Sequence, residues 1–408
     1  MPAKHPRSVL VAHPGQQHSH QLALALHEAG LLKAYWAGMP VRCGPIPLKY
    51  QMLGGLAQRV RQVDIPDSFR LHPWYFQAVL KAGLGASKWH FSGIRADDFT
   101  HKLFHAFDAW TAHRVAELKP ALVVAFENSA LQTFQAAKKV GARCVLDAPA
   151  FEHAAASAAL GATPEGFTLT VNARKDREVE LADVVLTCST IARETYVAAG
   201  VNREKVLSMP LGAAPPVSVV AWEPHDGPIR FVFAGALRSL KSIDLILQVF
   251  SRLHSNGFEF ALTFIGGEVE AGWVEQIRKV PCAHYLGQVS QHELFDQLAQ
   301  SDCLLLPSRF ESFGMVVAEG MACGTPAIVS TRTGAKMIIE KYVGAGWIVE
   351  CDENLLYECI KARIVNRSEL FASRAISLEA SKEFTWDSYR KRVSSVIAEQ
   401  LSYLSPSA

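Results

Sequence analysis

Short, continuous apolar runs alternate with helix-length segments along nearly the whole chain, and this rhythm limits the fold more than any other feature. SVLVA (8–12), ALVVAF (121–126), RCVLD (143–147) and DVVLTCS (183–189) form a first series. RFVFAG (230–235), ALTFIGG (261–267), HYLGQ (284–288), CLLLPS (303–308) and PAIVS (326–330) form a second, and helical sequence follows each run. A run that is apolar throughout suits a strand buried on both faces, and strands separated by helices make parallel sheets covered on both sides. The chain has 408 residues, too many for one ordinary core, so two domains of roughly 200 residues each are expected. Between the two series lies PLGAAPPVSVVAWEPHDGP (210–228), proline-rich and without helical period, which reads as a linker. The expectation is an α/β chain of two doubly wound domains, 1–215 and 216–383, facing each other. Ligands of such domains bind in the crevice beyond the carboxyl ends of the strands. For the last helix, FTWDSYRKRVSSVIAEQL (384–401), a return over the first domain is one arrangement its position allows.

Composition removes several function classes. Hydrophobic residues make up 49% and charged residues 20%, with a formal net charge of +2. Dedicated nucleic-acid binders carry a strong basic excess, so no nucleic-acid partner is expected. No run approaches the roughly 20 apolar residues that span a bilayer. SVLVA is too short for a signal peptide before His13 and Pro14 interrupt it. Eight cysteines occur without a CxxC pair, most of them inside apolar runs, as suits small buried hydrophobes in a reducing compartment. The expected location is the cytoplasm, either free or peripheral on the inner face of the membrane. Residues 40–105 stand apart, with the aromatics Trp74, Tyr75, Phe76, Trp89 and Phe91 and a local basic excess. Two readings stay open there: a segment that shapes an acceptor site and touches anionic lipid, or a variable solvated insertion.

The densest chemistry lies in PSRFESFGMVVAEGMACGTPAIVS (307–330). A buried strand ends in a polar turn, and a helix starts near Ser312 to Gly314 and stops at Gly324. A helix start presents unpaired amides and a partial positive charge, both of which favour a phosphate. Gly314 lets backbone come close to a ligand. Glu311 precedes the helix and Glu319 lies between one and two turns inside it, so both can face one crevice. The amides of Phe313, Gly314 and Met315 lie between them. A carboxylate accepts hydrogen bonds from two neighbouring hydroxyls, which suits a ribose or a sugar ring.

At this point the chain resembles glycosyltransferase family 4, the retaining GT-B enzymes that use sugar nucleotides. Their E-x7-E signature with an internal SFG reads here as ESFGMVVAE (311–319), trailed by GMACGTPAIVS. The likeness runs from FVFAGAL to the last helix, and more weakly through REVELADVVLTCSTIARETYVAAG and MPLGA in the first domain. It implies the GT-B fold, two Rossmann-like domains facing across a cleft. It also implies retaining hexosyl transfer from a nucleoside diphosphate sugar, the co-substrate, to a hydroxyl acceptor, saccharide or lipid-linked, in polysaccharide, glycolipid or other glycoconjugate synthesis. Position by position, it assigns Glu319 to the ribose hydroxyls and Glu311 to the transferred sugar near its anomeric carbon. The amides of Phe313 to Met315 are assigned to sugar hydroxyls and phosphate oxygens.

In FVFAGALRSLKSIDLIL (231–247) a strand ends at Gly235, and a cation before the following helix can neutralise a diphosphate leaving group. Lys241 falls where the family keeps its lysine; the family arginine is Ala236 here, and Arg238 is the nearest substitute. GALRSLKS also approaches a phosphate-binding P-loop, but Leu240 stands where the second glycine makes the cradling turn. His153, just beyond RCVLD, faces the donor sugar in the family reading or else caps a helix in solvent. Glu127 and Asn128, at a crevice mouth, either contact an acceptor or cap the next helix; Glu178 matches a recurrent family acid with a structural role.

The first strand-to-helix loop is HPGQQHSHQ (13–21). Gly15 keeps the glycine that the family turns to the donor phosphates, and His13 and His18 are acceptor-side candidates. Zinc needs three or four converging ligands, whereas His18 and His20 on one helix stand about 200° apart. With no DxD motif in the chain, no metal or other cofactor is expected. Three alternatives to a transferase remain: a sugar-nucleotide epimerase or hydrolase on the same architecture, a P-loop-like NTPase, and a non-catalytic sugar-nucleotide binding protein.

Overall fold

A computed structural model describes residues 8–15, 17–38, 41–42, 61–73, 96–214, 216 and 221–404. The strands are Val9–His13 (β1), Leu32–Ala37 (β2), Val41–Arg42 (β3), Arg61–Gln62 (β4), Arg70–Leu71 (β5), Leu122–Phe126 (β6), Arg143–Asp147 (β7), Val184–Thr187 (β8) and Val206–Ser208 (β9). The later ones are Ile229–Ala234 (β10), Phe260–Ile265 (β11), Ala283–Gly287 (β12), Cys303–Leu306 (β13), Ala327–Ser330 (β14) and Gly346–Val349 (β15). Among the described residues a first parallel sheet has the order β5-β2-β1-β6-β7-β8-β9 and a second the order β12-β11-β10-β13-β14-β15. In each, chain order reverses beside the first long strand, between β1 and β6 and again between β10 and β13. Helices leaving to opposite faces at such a point open a crevice at the strands' carboxyl ends. These are two doubly wound, Rossmann-like α/β domains.

The alternation of strand side chains divides the first core in two. Val9, Val11, Leu122, Val124, Val145 and Leu186 belong to one cluster, and Leu10, Val123, Cys144, Leu146 and Val185 to the other. The second face is covered by Leu103 and Phe107 of helix Ala96–Leu118 and Phe134 of helix Leu131–Lys139. The first is covered by Leu22 and Leu26 of helix Ser19–Glu28 together with Tyr389, Val393, Ile397 and Leu401 of helix Trp386–Ser402. Those four residues recur every fourth position, one stripe of an α-helix. The late helix is thus part of the first domain's core, and Arg390 ties it to Gln21 (2.8 Å) and Glu28 (3.1 Å).

The chain crosses between domains twice, and the two crossings lie side by side. Ala213 donates its amide to Phe384 O at 2.8 Å and bridges Thr385. A Cβ on Gly212 would sit 2.3 Å from the Thr385 carbonyl carbon, so glycine alone permits this contact. Of the linker, residues 215 and 217–220 lie outside the described set, but Trp222 donates to the buried Asp302 carboxylate at 2.8 Å. His225 and Arg230 engage the same carboxylate, fastening the linker's end to the second sheet. Trp74, Tyr75, Phe76, Trp89 and Phe91 lie outside the described residues. No described helix is long and apolar enough to cross a membrane.

Ile397 is fully buried, and truncation to alanine is expected to destabilise the chain by about 2–5 kcal/mol. Urea denaturation checks this; an unchanged midpoint would remove the late helix from the first core.

Candidate active site

The carboxyl ends of β10 and β13 meet at the second domain's switch point and carry the two most informative segments. After β13, the chain reaches Gly314 in the left-handed region (φ 93°), which ends the turn and starts helix Met315–Ala322. A Cβ there would lie 2.9 Å from Leu306 Cδ2, so both dihedral and space demand glycine. The Gly314, Met315 and Val316 amides donate to no carbonyl or side chain among the described residues. They point away from the helix as its free positive end. Phe313 turns its ring into the core, while its carbonyl accepts from Ala335 at 2.6 Å.

After β10, a 3₁₀ turn over Ser239–Lys241 brings the Lys241 ammonium onto the Glu311 carboxylate. The two loops are clamped by Arg309. Its amide donates to Leu240 O at 2.9 Å, and its guanidinium forms two bonds to Asp244 at 2.7 and 2.6 Å. Burial first, and the nearby Arg238 charge second, push the Lys241 ammonium down to about 8. The Glu311 contact acts in the opposite sense by favouring the charged form. Glu319 has no salt-bridge partner among the described residues, and burial raises its pKa above the usual carboxylate value. Gly235, Lys241, Gln288, Glu311, Met315 and Glu319 line one cavity of about 630 Å³ within the second domain.

A second cavity of about 530 Å³ spans both domains, from Glu311, Gly314 and Glu319 to His18, Glu127 and Trp386. The domains touch beside it: Ser189 donates to Ser312 O at 2.5 Å, and the Phe151 and Phe310 rings lie 4.0 Å apart. His18 precedes helix Ser19–Glu28 and contacts Asp147 at 2.9 Å. Glu127 pairs with Lys175 at 3.1 Å, which holds that ammonium above its usual range. Lys175 was not singled out from the sequence; it comes from the interior of helix Phe167–Leu181, where a lysine carries no distinguishing signal. The same holds for Arg309 and Asp244, partners 65 residues apart.

Four candidates have surroundings other than the two cleft cavities. His13 does not line either cleft cavity; it is buried against Phe126, ring centroids 4.2 Å apart, and burial lowers its pKa to about 3. Gly15 spends its amide on His13 Nδ1 at 2.8 Å, so that donor is not free for a phosphate. Asn128 is held inside: its side chain bonds His101 and His105, and its amide donates to Glu178 at 2.5 Å. Arg238 lines neither the 630 Å³ cavity nor the 530 Å³ one, and stands on the far side of Lys241. Glu178 accepts three amides at the start of helix Leu131–Lys139, a capping role, with burial raising its pKa to about 7. His153 begins helix His153–Ala159 and gives its Nε2 to Asp176 at 2.7 Å, with Glu152 at 3.2 Å. Among the described residues this trio brings metal-ligating atoms together, whereas His13, His18 and His20 do not converge.

Residues 220–362 match the family model described as Glycosyl transferases group 1. D-inositol 3-phosphate glycosyltransferase 1 of Catenulispora acidiphila is 30% identical over 184 residues, a stretch spanning 40% of this chain and 42% of that relative. Among solved structures, Anabaena HepE in complex with UDP superposes with a TM-score of 0.63 at 16% identity, covering 97% of this chain and 100% of that one. Sucrose-phosphate synthase from Thermosynechococcus elongatus gives 0.65 at 17% identity, over 98% and 100% of the two chains. At these identities the solved structures speak for the fold, and the match over 220–362 speaks for the domain that holds Lys241, Glu311 and Glu319. By its architecture the chain therefore has the GT-B fold, and residues 220–362 of its second domain match the glycosyl transferases group 1 model.

Proposed function

We propose that this chain is a retaining, family 4-type glycosyltransferase that moves a sugar from a nucleoside diphosphate sugar to a hydroxyl acceptor in glycoconjugate or polysaccharide synthesis. The observation that carries the reading is the Lys241–Glu311 pair set beside the free amides of Gly314 and Met315, with Glu319 unpaired in the same cavity. In this reading the nucleoside lies in the 630 Å³ cavity and its ribose hydroxyls donate to Glu319. The diphosphate takes the helix amides and Lys241, releasing Glu311 to accept from hydroxyls of the transferred sugar. Charge grows on the diphosphate as the glycosidic oxygen departs, so these donors act most strongly in the transition state. Cation and amides meet that charge, so the reaction is proposed to run without a divalent ion and to survive a chelator. HepE has been solved with UDP and with UDP-glucose, which makes uridine donors the first to try. The described cysteines are free thiols, in keeping with a cytoplasmic setting.

Glu319→Ala and Lys241→Ala are each expected to weaken nucleoside diphosphate binding by roughly 10- to 100-fold, the scale of a hydrogen bond to a charged group. Calorimetry checks this after a thermal-shift screen over nucleotide sugars; unchanged affinity in both variants would sink the assignment.

A second expectation concerns pH. The free Lys241 ammonium titrates near 8, and a bound diphosphate favours its charged form. Above about pH 8 the affinity should fall by up to tenfold per pH unit, with proton uptake on binding; below it the dependence should flatten. Calorimetry in buffers of different ionisation enthalpy reads the proton, and Lys241→Met should abolish the uptake.

A further inference from the structure

A third cavity, of about 380 Å³, lies across Lys241 from the proposed donor cavity, between helices of the first domain and the loops after β10 and β13. Lys175, Arg238, Lys241, Glu311, Phe151 and Phe310 stand in its wall. Most wall charges are already matched. Lys241 pairs with Glu311, Lys175 with Glu127 at 3.1 Å, and His153 with Asp176 at 2.7 Å. Arg238 has no salt-bridge partner among the described residues, and its Nε is enclosed without a hydrogen-bond acceptor. Glu270, whose carboxylate feels the Arg238 charge, is held instead by the Ser239 amide at 2.7 Å. With Lys175 and Lys241 paired, Arg238 is the wall cation without a carboxylate partner among the described residues. The guanidinium is half-buried with only its Nε enclosed, and a bidentate anion in the cavity would give it the partner that it lacks among the described residues.

We propose that this cavity receives the acceptor and that Arg238 binds an anionic group on it, a phosphate or a carboxylate. The proposal rests on the transferase reading and names its substrate class: a hydroxyl compound of monosaccharide scale bearing a negative charge. Glu311 and Lys241 form the wall common to this cavity and the donor cavity, so the acceptor hydroxyl meets the donor sugar there. Its oxygen bonds to the anomeric carbon as the bond from that carbon to the diphosphate oxygen breaks. The hydroxyl proton leaves with the diphosphate.

The test uses the whole chain saturated with the nucleoside diphosphate that binds it. Glucose 6-phosphate, glucuronate and glucose are then titrated by calorimetry. Either anionic sugar should bind at least about tenfold more tightly than glucose, the scale of a charge-assisted pair. Arg238→Met should abolish that preference and Arg238→Lys should retain part of it, while at pH 7, below the Lys241 titration that the Arg238 charge influences, nucleoside diphosphate affinity stays unchanged in both. Equal binding of charged and neutral sugars would overturn the proposal. So would loss of nucleoside diphosphate affinity in Arg238→Met, which would return Arg238 to the leaving group. A preference for a charged donor sugar, with no acceptor preference, would overturn it too. If no nucleoside diphosphate binds the unaltered chain, the transferase reading fails first. The sugar titrations of the free protein then judge the anion site separately.

Discussion

The contact between Lys241 and Glu311 joins the two loops that leave the second sheet at its switch point. Each group alone would be a largely buried, uncompensated charge; together they compensate each other, and in the proposed reading they separate when a ligand supplies new partners. Arg309 makes that geometry dependable, because its bidentate hold on Asp244 and its amide bond to Leu240 fix the lysine turn to the glutamate turn. The neighbouring helix start adds donors that no side chain in the described structure has claimed. In the proposed reading, attraction for a diphosphate and release of a sugar-binding carboxylate are therefore two faces of one event.

Much of this architecture was legible in the sequence because buried parallel strands write themselves as unbroken apolar runs. β1, β6, β7, β8, β10, β11, β13 and β14 all lie within such runs or overrun them by one residue. The two-residue strands β3, β4 and β5 leave no comparable trace, since two positions show no period. Site residues divide along the same line. Glu311, Gly314 and Glu319 sit within nine consecutive positions, where local geometry alone brings them to one crevice. Lys175 and Arg309 act through partners far away in the chain, and no spacing announces such pairs. The histidines of the first loop misled for a related reason. His13 ends β1 with the same parity as Val9 and Val11, so its ring is carried inward, whereas His18, one turn on, reaches Asp147 at the cleft.

Ala236 and Arg238 illustrate how a displaced charge changes what a loop can do. Ala236 stands in the wall of the 630 Å³ cavity, where the resemblance implies an arginine, and Arg238 stands in the wall of the 380 Å³ cavity. In the proposed reading the donor side has one cation and a set of amides, and the opposite cavity has a charge without a salt-bridge partner among the described residues.

The helix at Trp386–Ser402 fills a groove in a core whose strands all precede residue 209, with the entire second sheet in between. A nascent chain emerging from the ribosome can therefore finish the second lobe while the first still exposes the apolar stripe that Tyr389, Val393, Ile397 and Leu401 will cover. The usual order, in which the amino-terminal unit matures first, is inverted. The first half of the chain is sealed only by a late segment of translation.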